Sequence, residues 1–171
     1  MQEVRLTPTS YIVLGLLEFA GESTPYGLKQ LVSASVGNFW TLHHAQLYTE
    51  PERLAKGGYV SEKRERGGRR RRLYEITEKG RAALHDWRHE PTPATLGELR
   101  EPSLLKLFFG ADPAAIAEAQ LPAHRAKLAE YEAIRDRMPD SVPRGPGLAL
   151  EAGIRNERHF ISFWEELAED G

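Results

Sequence analysis

A dense run of basic residues lies near the middle of the chain, and its chemistry suits the binding of phosphate. Seven of the ten residues from Lys63 to Arg72 are basic, and Gly67-Gly68 interrupts the run. The seven are Lys63, Arg64, Arg66, Arg69, Arg70, Arg71 and Arg72. A guanidinium can hydrogen-bond two phosphate oxygens at once, and each phosphate contact releases counterions. The run therefore predicts contact with a nucleic-acid backbone, with a solvated charged hairpin as the alternative.

A second group of candidate residues belongs to a helix that we predict from His43 to Lys56. Leu47 and Leu54, seven residues apart, mark its buried side, so the other side faces solvent. There Gln46 can pair with adenine in a major groove, and the methyl group of Thr49 can contact thymine. Together with the basic run and the preceding helix, the candidate contacts to nucleic acid are Tyr26, Lys29, His44, Gln46, Tyr48, Thr49, Arg53, Lys63, Arg69, Arg70 and Arg71.

Metal, catalytic and ligand chemistry have fewer candidates. His85 and His89 have the spacing of two zinc ligands in a protease, but no third ligand is indicated and Asp86 is short for a general base. The chain has no cysteine and no nucleophile elbow. We therefore predict no metal, no cofactor and no enzymatic activity, with a metal-dependent enzyme as an alternative. Trp40, in a loop beside Phe39, is the candidate contact for a small aromatic ligand.

The composition is that of a globular protein with a basic half and an acidic half. The chain has 171 residues, of which 40% are hydrophobic and 28% charged. Residues 1–90 carry 14 Lys+Arg and 11 Asp+Glu, whereas residues 91–171 carry 9 and 14. No apolar stretch is long enough for a membrane span or a signal peptide, so we expect a cytoplasmic protein without a membrane partner. The first half is expected to meet a polyanion.

The first half has the element order of a winged helix-turn-helix. Start and stop signals predict three helices, a hairpin around Gly67-Gly68 and a fourth helix capped by Thr77. Pro51 lies inside the third helix and predicts a kink or a shortened helix. The predicted elements are helices from Thr9 or Ser10 to Ala20, Thr24–Ser33 and His43–Lys56, strands Tyr59–Glu65 and Arg69–Ile76, and helix Glu78–His89.

The second half is predicted to be helical, which makes the fold mainly α. We assign residues 1–90 to the winged helix-turn-helix domain, 91–101 to a linker and 102–171 to a helical dimerisation domain. A short segment, Pro102–Phe109, is apolar enough to be buried, and Pro122 is expected to bend the helix that follows it. The two long helices are predicted at Asp112–Met138 and Leu148–Ala168. Because a helix pair alone buries little core, a dimer is expected.

Several short motifs recur in a characteristic order over residues 10–90. They are Leu14-Gly15-Leu16-Leu17, Tyr26-Gly27, Phe39-Trp40, Leu47-Tyr48, Arg53-Leu54, Gly58-Tyr59-Val60, Gly68-Arg69, Tyr74 and Ile76-Thr77-Glu78-Lys79-Gly80. In this order they resemble the PadR family of transcriptional regulators. The helical tail after residue 100 is similar in character to the branch of that family with a virulence-regulator-like C-terminal domain.

The resemblance implies a homodimeric repressor that binds a palindromic operator in double-stranded DNA. It also implies that the tail helices build the dimer and that a small aromatic effector can act near the dimer interface. The alternative is a winged-helix protein-interaction module that does not bind DNA, because a fold does not fix a function.

Overall fold

The computed structural model describes residues 4–64, 71–91 and 101–169. The chain divides into two compact units, residues 1–94 and 95–171. Most of the predicted linker, residues 92–100, lies outside the described part of the chain. The assignment of residues 91–101 as a linker therefore stays a prediction.

The first unit has the predicted order of three helices, two strands and a helix. A short 3₁₀ turn, Val36–Asn38, separates the second helix from the third. The elements are α1 (Pro8–Ala20), α2 (Pro25–Ser33), α3 (Gln46–Lys56), β1 (Val60–Arg64), β2 (Arg72–Ile76) and α4 (Glu78–His89).

Threonine caps set the starts of three of these helices. Thr24 caps α2 and Thr77 caps α4, as predicted. The cap of α1 is Thr7 and not Thr9 or Ser10. The Thr7 hydroxyl accepts a hydrogen bond from the Ser10 backbone, and the Ser10 hydroxyl accepts one from the Thr7 backbone. This reciprocal pair, with Pro8 at the first helical position, starts the helix earlier than predicted.

The wing is an antiparallel pair with a third, very short strand beside it. The β1–β2 register runs from Val60 opposite Ile76 to Arg64 opposite Arg72. Ser23 pairs with Tyr74 on the other side of β2, through backbone hydrogen bonds of 2.8 and 2.9 Å. Both strands are shorter than predicted, and Glu65, Arg69 and Arg70 lie outside the described residues.

One continuous apolar core joins the helices to the wing. It draws on α1, α2, α3, both strands and α4, so the wing is anchored to the same core as the helices. Its buried members are Val13, Leu14, Leu17, Leu28, Val32, Leu47, Leu54, Val60, Tyr74, Ile76 and Leu84.

The Thr-x-x-Gly motif marks the closest approach of α4 to the wing. The Thr77 hydroxyl accepts from the Gly80 backbone and donates to the Gly58 carbonyl at 2.8 Å. A Cβ on Gly80 would collide with the Tyr59 carbonyl oxygen and lie 2.8 Å from Ile76 Cγ1. Glycine is therefore required at position 80 by this close packing. Its backbone conformation does not require glycine, because its φ is not positive.

Replacing Gly80 with alanine is expected to destabilise the first unit by about 2–3 kcal/mol, the cost of an overpacked site with a backbone neighbour. Gly15→Ala is the matched control, since a Cβ there meets nothing within 4 Å. That control is expected to stabilise α1 by up to about 1 kcal/mol. Thermal unfolding followed by circular dichroism compares the two variants. Equal stabilities would contradict the packing argument.

The second unit consists of one short and two long helices. They are α5 (Pro102–Phe108), α6 (Pro113–Asp136) and α7 (Arg144–Glu169). The helix α6 continues through Pro122. The helix α7 begins four residues before its predicted start because Pro146 falls in its first turn, where proline is tolerated. In the described part of the chain no helix is both long and apolar enough to cross a bilayer.

The helix pair α6–α7 packs around Trp164, whose ring is fully buried against Ala117 and Leu121. Polar side-chain pairs also join the two helices. His124 Nδ1 lies 2.6 Å from Glu157 Oε2, and both side chains are largely buried. The more exposed pairs are Arg125–Glu165 and Arg158–Glu132.

The prediction that the apolar segment after Pro102 is buried is wrong for three of its side chains. Within the single chain Leu105 is 61% exposed, Phe108 81% and Phe109 77%. Of the apolar side chains in this segment, only Leu104 and Leu107 pack against the cluster around Trp164. A seven-residue helix buries one side, and the other side of α5 remains an exposed apolar surface.

Candidate nucleic-acid interface

The helix α3 presents one buried and one exposed side, as its sequence predicts. Leu47 and Leu54 are both 0% exposed. The helix begins at Gln46, not His43, because His43 and His44 form a turn whose carbonyls accept from the backbone of Gln46 and Leu47. Pro51 is fully buried and the helix continues past it to Lys56. The expected shortening therefore occurs at the start of the helix, not at the proline.

Four of the predicted contact residues come together at the first turns of α3. His44 lies in the turn before the helix, and Gln46, Tyr48 and Thr49 all lie on its exposed side. Tyr48 is 47% exposed, and the exposed Thr49 donates its hydroxyl to the Ala45 carbonyl at 3.3 Å. This surface has the amide, hydroxyl and methyl groups that read base edges.

Arg53 differs from the other predicted contacts, because its partly buried guanidinium is hydrogen-bonded to other residues of the protein. It donates to both carboxylate oxygens of Glu50, at 2.6 and 2.9 Å, and to the Ser10 hydroxyl at 2.8 Å. It also donates to the Arg5 carbonyl at 2.8 Å. These bonds tie α3 to α1 and to the N-terminal segment. The geometry gives Arg53 a structural role, and we do not propose it as a DNA contact.

Glu50 is a largely buried carboxylate at the centre of this network. Ser10, itself fully buried, donates to Glu50 Oε1 at 2.6 Å. Burial alone would raise the pKa of Glu50, but the hydrogen bonds from Arg53 and Ser10 and the charge of Arg53 hold it below the ordinary value of 4.5. The carboxylate is therefore ionised and paired at neutral pH.

The variant Glu50→Gln is expected to lower the stability of the first unit by about 1–3 kcal/mol at neutral pH, because it leaves a partly buried guanidinium unpaired. The lowered pKa of Glu50 means that its contribution is complete above 4.5 and is lost as the pH falls through the folded-state pKa. The difference in melting temperature between the wild type and the variant should therefore shrink as the pH falls below 4.5. Glu75→Gln, at an exposed site, is the control. A difference independent of pH would contradict the assignment.

The basic residues at the end of β1 are paired with carboxylates. Lys63, with 76% of its side chain exposed, lies 3.8 Å from Glu22. Arg64 Nε lies 3.0 Å from Glu62 Oε1. Sequence reasoning missed these carboxylates, although Glu62 and Arg64 alternate along one strand and so share a face.

The rest of the basic run consists of one exposed arginine, one paired arginine and three arginines that lie outside the described residues. Arg71 is exposed and has no carboxylate within 4 Å in the described part of the chain. Arg72 pairs with Glu52 of α3 and lies 3.8 Å from Glu62. Arg66, Arg69 and Arg70 lie outside the described residues, so their predicted phosphate contacts stay predictions.

The remaining predicted contacts lie on α2 and in the segment before α3. Tyr26 is 60% exposed at the start of α2, and Lys29 is half-buried one turn later. Trp40 is 45% exposed and follows the exposed Phe39. It does not line the surface depression at the α6–α7 turn or the one around Tyr11 and Tyr59.

The histidine pair on α4 shows no metal-binding geometry. His89 Nδ1 donates to the His85 carbonyl at 2.7 Å, and the two rings lie 4.3 Å apart. Among residues 4–64, 71–91 and 101–169 no group of three or more His, Cys, Asp or Glu side chains is placed to hold a metal ion.

Comparison with known proteins gives matches to both units. The family model "Transcriptional regulator PadR-like family" matches residues 13–86, and "Virulence activator alpha C-term" matches residues 99–170. The negative transcriptional regulator PadR of Bacillus subtilis (strain 168) is 26% identical over 174 residues, which span 92% of this chain and 93% of that protein.

Solved structures show the same fold. The crystal structure of Bacillus subtilis PadR in complex with operator DNA is 27% identical, with a TM-score of 0.76 over 94% of this chain and 96% of that chain. The Vibrio cholerae virulence activator AphA is 24% identical, with a TM-score of 0.70 over 95% of this chain and 96% of that one. The predicted winged helix-turn-helix followed by a helical domain is confirmed. The chain belongs to the PadR-like family of transcriptional regulators, and its C-terminal domain is of the virulence-activator type.

Proposed function

We propose that the protein is a DNA-binding repressor that acts as a homodimer at a palindromic operator. The observation that carries the proposal is the exposed polar surface at the start of α3, in the same unit as a wing with an exposed Arg71. In this arrangement α3 enters the major groove and the wing follows the phosphate backbone. The crystal structure of the related Bacillus subtilis PadR in complex with operator DNA supports DNA binding by this chain.

The proposed roles of the contact residues follow from their positions. Gln46 and Thr49 read base edges, whereas His44 and Tyr48 contact phosphates near the start of α3. The phosphate contacts of the wing are Lys63, Arg69, Arg70 and Arg71. Tyr26 and Lys29, both on α2, add contacts to the phosphate backbone of the DNA. We assign residues 1–90 to DNA binding, 91–101 to a linker and 102–171 to dimerisation.

The homodimer is supported by the exposed apolar surface of α5. Leu105, Phe108 and Phe109 lie together near the end of this short helix and are each more than 60% exposed. A contiguous apolar patch is a common mark of a protein interface. A two-fold symmetric dimer has two copies of the first unit, one for each half of a palindrome.

Repression by occlusion of a promoter is supported by the related Bacillus subtilis protein, which is named a negative regulator. A regulator of this kind binds DNA and has no catalytic activity, and it acts on the chromosome in the cytoplasm. Release by a small aromatic ligand, with Trp40 as its contact, is a further hypothesis. It requires the ligand to bind one geometry of the dimer better than the other.

The test is the fluorescence anisotropy of a labelled duplex from the region upstream of the protein's own gene, measured over a salt series beside a scrambled duplex. The expected result is tighter binding to the native duplex and a steep dependence of affinity on salt. Equal binding to both duplexes would contradict an operator in that region. The absence of binding to either duplex at low salt would overturn the proposal and favour the protein-interaction module.

A further inference from the structure

Glu52 is an acidic residue on a helix that we expect to face a polyanion. It lies on the exposed side of α3, with 43% of its side chain accessible. A carboxylate there repels phosphate, so its position requires a compensating role. Its side chain pairs with Arg72, the first residue of β2, and so links α3 directly to the wing.

Arg72 is held on a second side by the wing itself. It stands opposite Arg64 across the two strands, and two like charges in that register repel each other. Glu62 offsets this repulsion because its Oε1 atom lies 3.0 Å from Arg64 Nε and 3.8 Å from Arg72 Nε. The Tyr74 hydroxyl donates to the other Glu62 oxygen at 3.5 Å, and Tyr74 is fully buried. The cluster of Glu52, Arg72 and Glu62 is therefore connected to one core residue, Tyr74.

An arginine between two carboxylates is poorly suited to phosphate binding. Its Nη1 atom is paired with Glu52 and its Nε atom lies 3.8 Å from Glu62, so these two donors are not free for phosphate while the pairs persist. Arg71, its neighbour, has no such partner in the described residues. The two adjacent arginines thus differ in what they can do, although the sequence alone treats them as equivalent members of one basic run.

We infer that Glu52 is a positioning residue that fixes the wing relative to α3 through Arg72, and that Arg72 is not a phosphate contact. This inference rests on the proposed DNA-binding function. A protein that reads a sequence must dock the helix and the wing together, and a fixed angle between them reduces the ordering that binding requires. Glu52 weakens attraction to any DNA but favours the sequence that fits both elements at that angle.

The experiment measures discrimination between two duplexes, one selected from a randomised library with the wild-type protein and one scrambled. The variants are Glu52→Gln, Arg72→Gln and the double variant. Glu75→Gln is the control, because it removes an exposed carboxylate from β2, the strand of Arg72. Both single variants are expected to lose discrimination by about fivefold to tenfold, the range of coupled pairs. The double variant should lose no more than either single variant, and the control should lose none.

The dependence of affinity on salt supplies a second measurement, which a loss of fold stability alone would not change. Removing a phosphate contact lowers the slope of log affinity against log salt by about 0.9. Arg72→Gln is expected to leave this slope unchanged, and a decrease of that size would overturn the inference. The salt series also remains informative if a variant is less stable, provided that its circular dichroism spectrum matches the wild type.

Three other results separate the explanations. If Glu52→Gln strengthens binding to both duplexes by the same factor, Glu52 only repels phosphate and the inference is wrong. If Glu52→Gln loses discrimination while Arg72→Gln keeps it, Glu52 contacts bases directly, which also overturns the inference. If the wild-type protein enriches no duplex from the library, it is the proposed function itself that fails.

Discussion

The triple variant Arg69→Gln, Arg70→Gln, Arg71→Gln is expected to bind operator DNA about a hundredfold more weakly than the wild type at moderate salt. Each of these arginines is assigned a phosphate contact, and each lost contact removes one set of released counterions. The slope of log affinity against log salt should fall by about 2.7 for three contacts. Arg72 is left in place because it pairs with Glu52 and Glu62. Fluorescence anisotropy over a salt series measures both quantities.

A control variant with the same change in charge tests whether position matters or only net charge. Arg135, Arg144 and Arg155 are exposed residues of the second unit, and their replacement by glutamine also removes three positive charges. This control should bind DNA nearly as well as the wild type, because none of these three residues is assigned a phosphate contact. Equal losses in the two triple variants would mean that the wing has no special role.

The sequence predicted the features of the interface that depend on local periodicity and capping. Leu47 and Leu54 are fully buried, as their seven-residue spacing indicates, and Thr24 and Thr77 cap their helices. These features arise within one helix or at its end, where a few neighbouring residues decide the result. The start of α1 was missed because two signals competed, and the Thr7 cap with Pro8 prevailed over the later hydroxyls.

The partners of the long basic side chains could not be predicted in the same way. A helical wheel places Arg53 outward, but its guanidinium reaches Ser10 and Arg5, more than 40 residues earlier in the chain. Arg72 likewise pairs with Glu52, 20 residues away. A flexible arginine side chain can pair with any carboxylate within its reach. The tertiary structure determines which carboxylates those are. The basic run therefore contains both structural arginines and candidate DNA contacts.

The apolar segment after Pro102 shows another limit of composition. Its leucines and phenylalanines correctly indicate that the segment avoids water, but composition does not say which surface covers them. In the single chain Phe108 and Phe109 face outward. We therefore expect a second copy of the chain to bury the same residues. The prediction of burial is wrong for the single chain, but it can be tested for the dimer.

The double variant Phe108→Gln, Phe109→Gln is expected to weaken dimerisation by at least about a thousandfold. A two-fold interface repeats each substitution in both copies, so four aromatic side chains are lost, and about 4 kcal/mol is a conservative share of their burial energy. The monomer should keep its fold, because both rings are already mostly exposed in the single chain. Analytical ultracentrifugation distinguishes the 19.3 kDa chain from an assembly of twice that mass.

The loss of the dimer should also reduce operator affinity by about a hundredfold or more, since the second half-site is no longer bound at a high effective concentration. Phe19→Gln is the control, because Phe19 is 57% exposed on α1 and lies in the first unit. It should leave both mass and affinity unchanged. A double variant that remains dimeric would exclude α5 as the interface, and a wild-type monomer at micromolar concentration would exclude the homodimer. A monomeric variant that still binds the operator as tightly as the wild type would instead separate dimerisation from DNA recognition, because affinity would then come from a single winged domain.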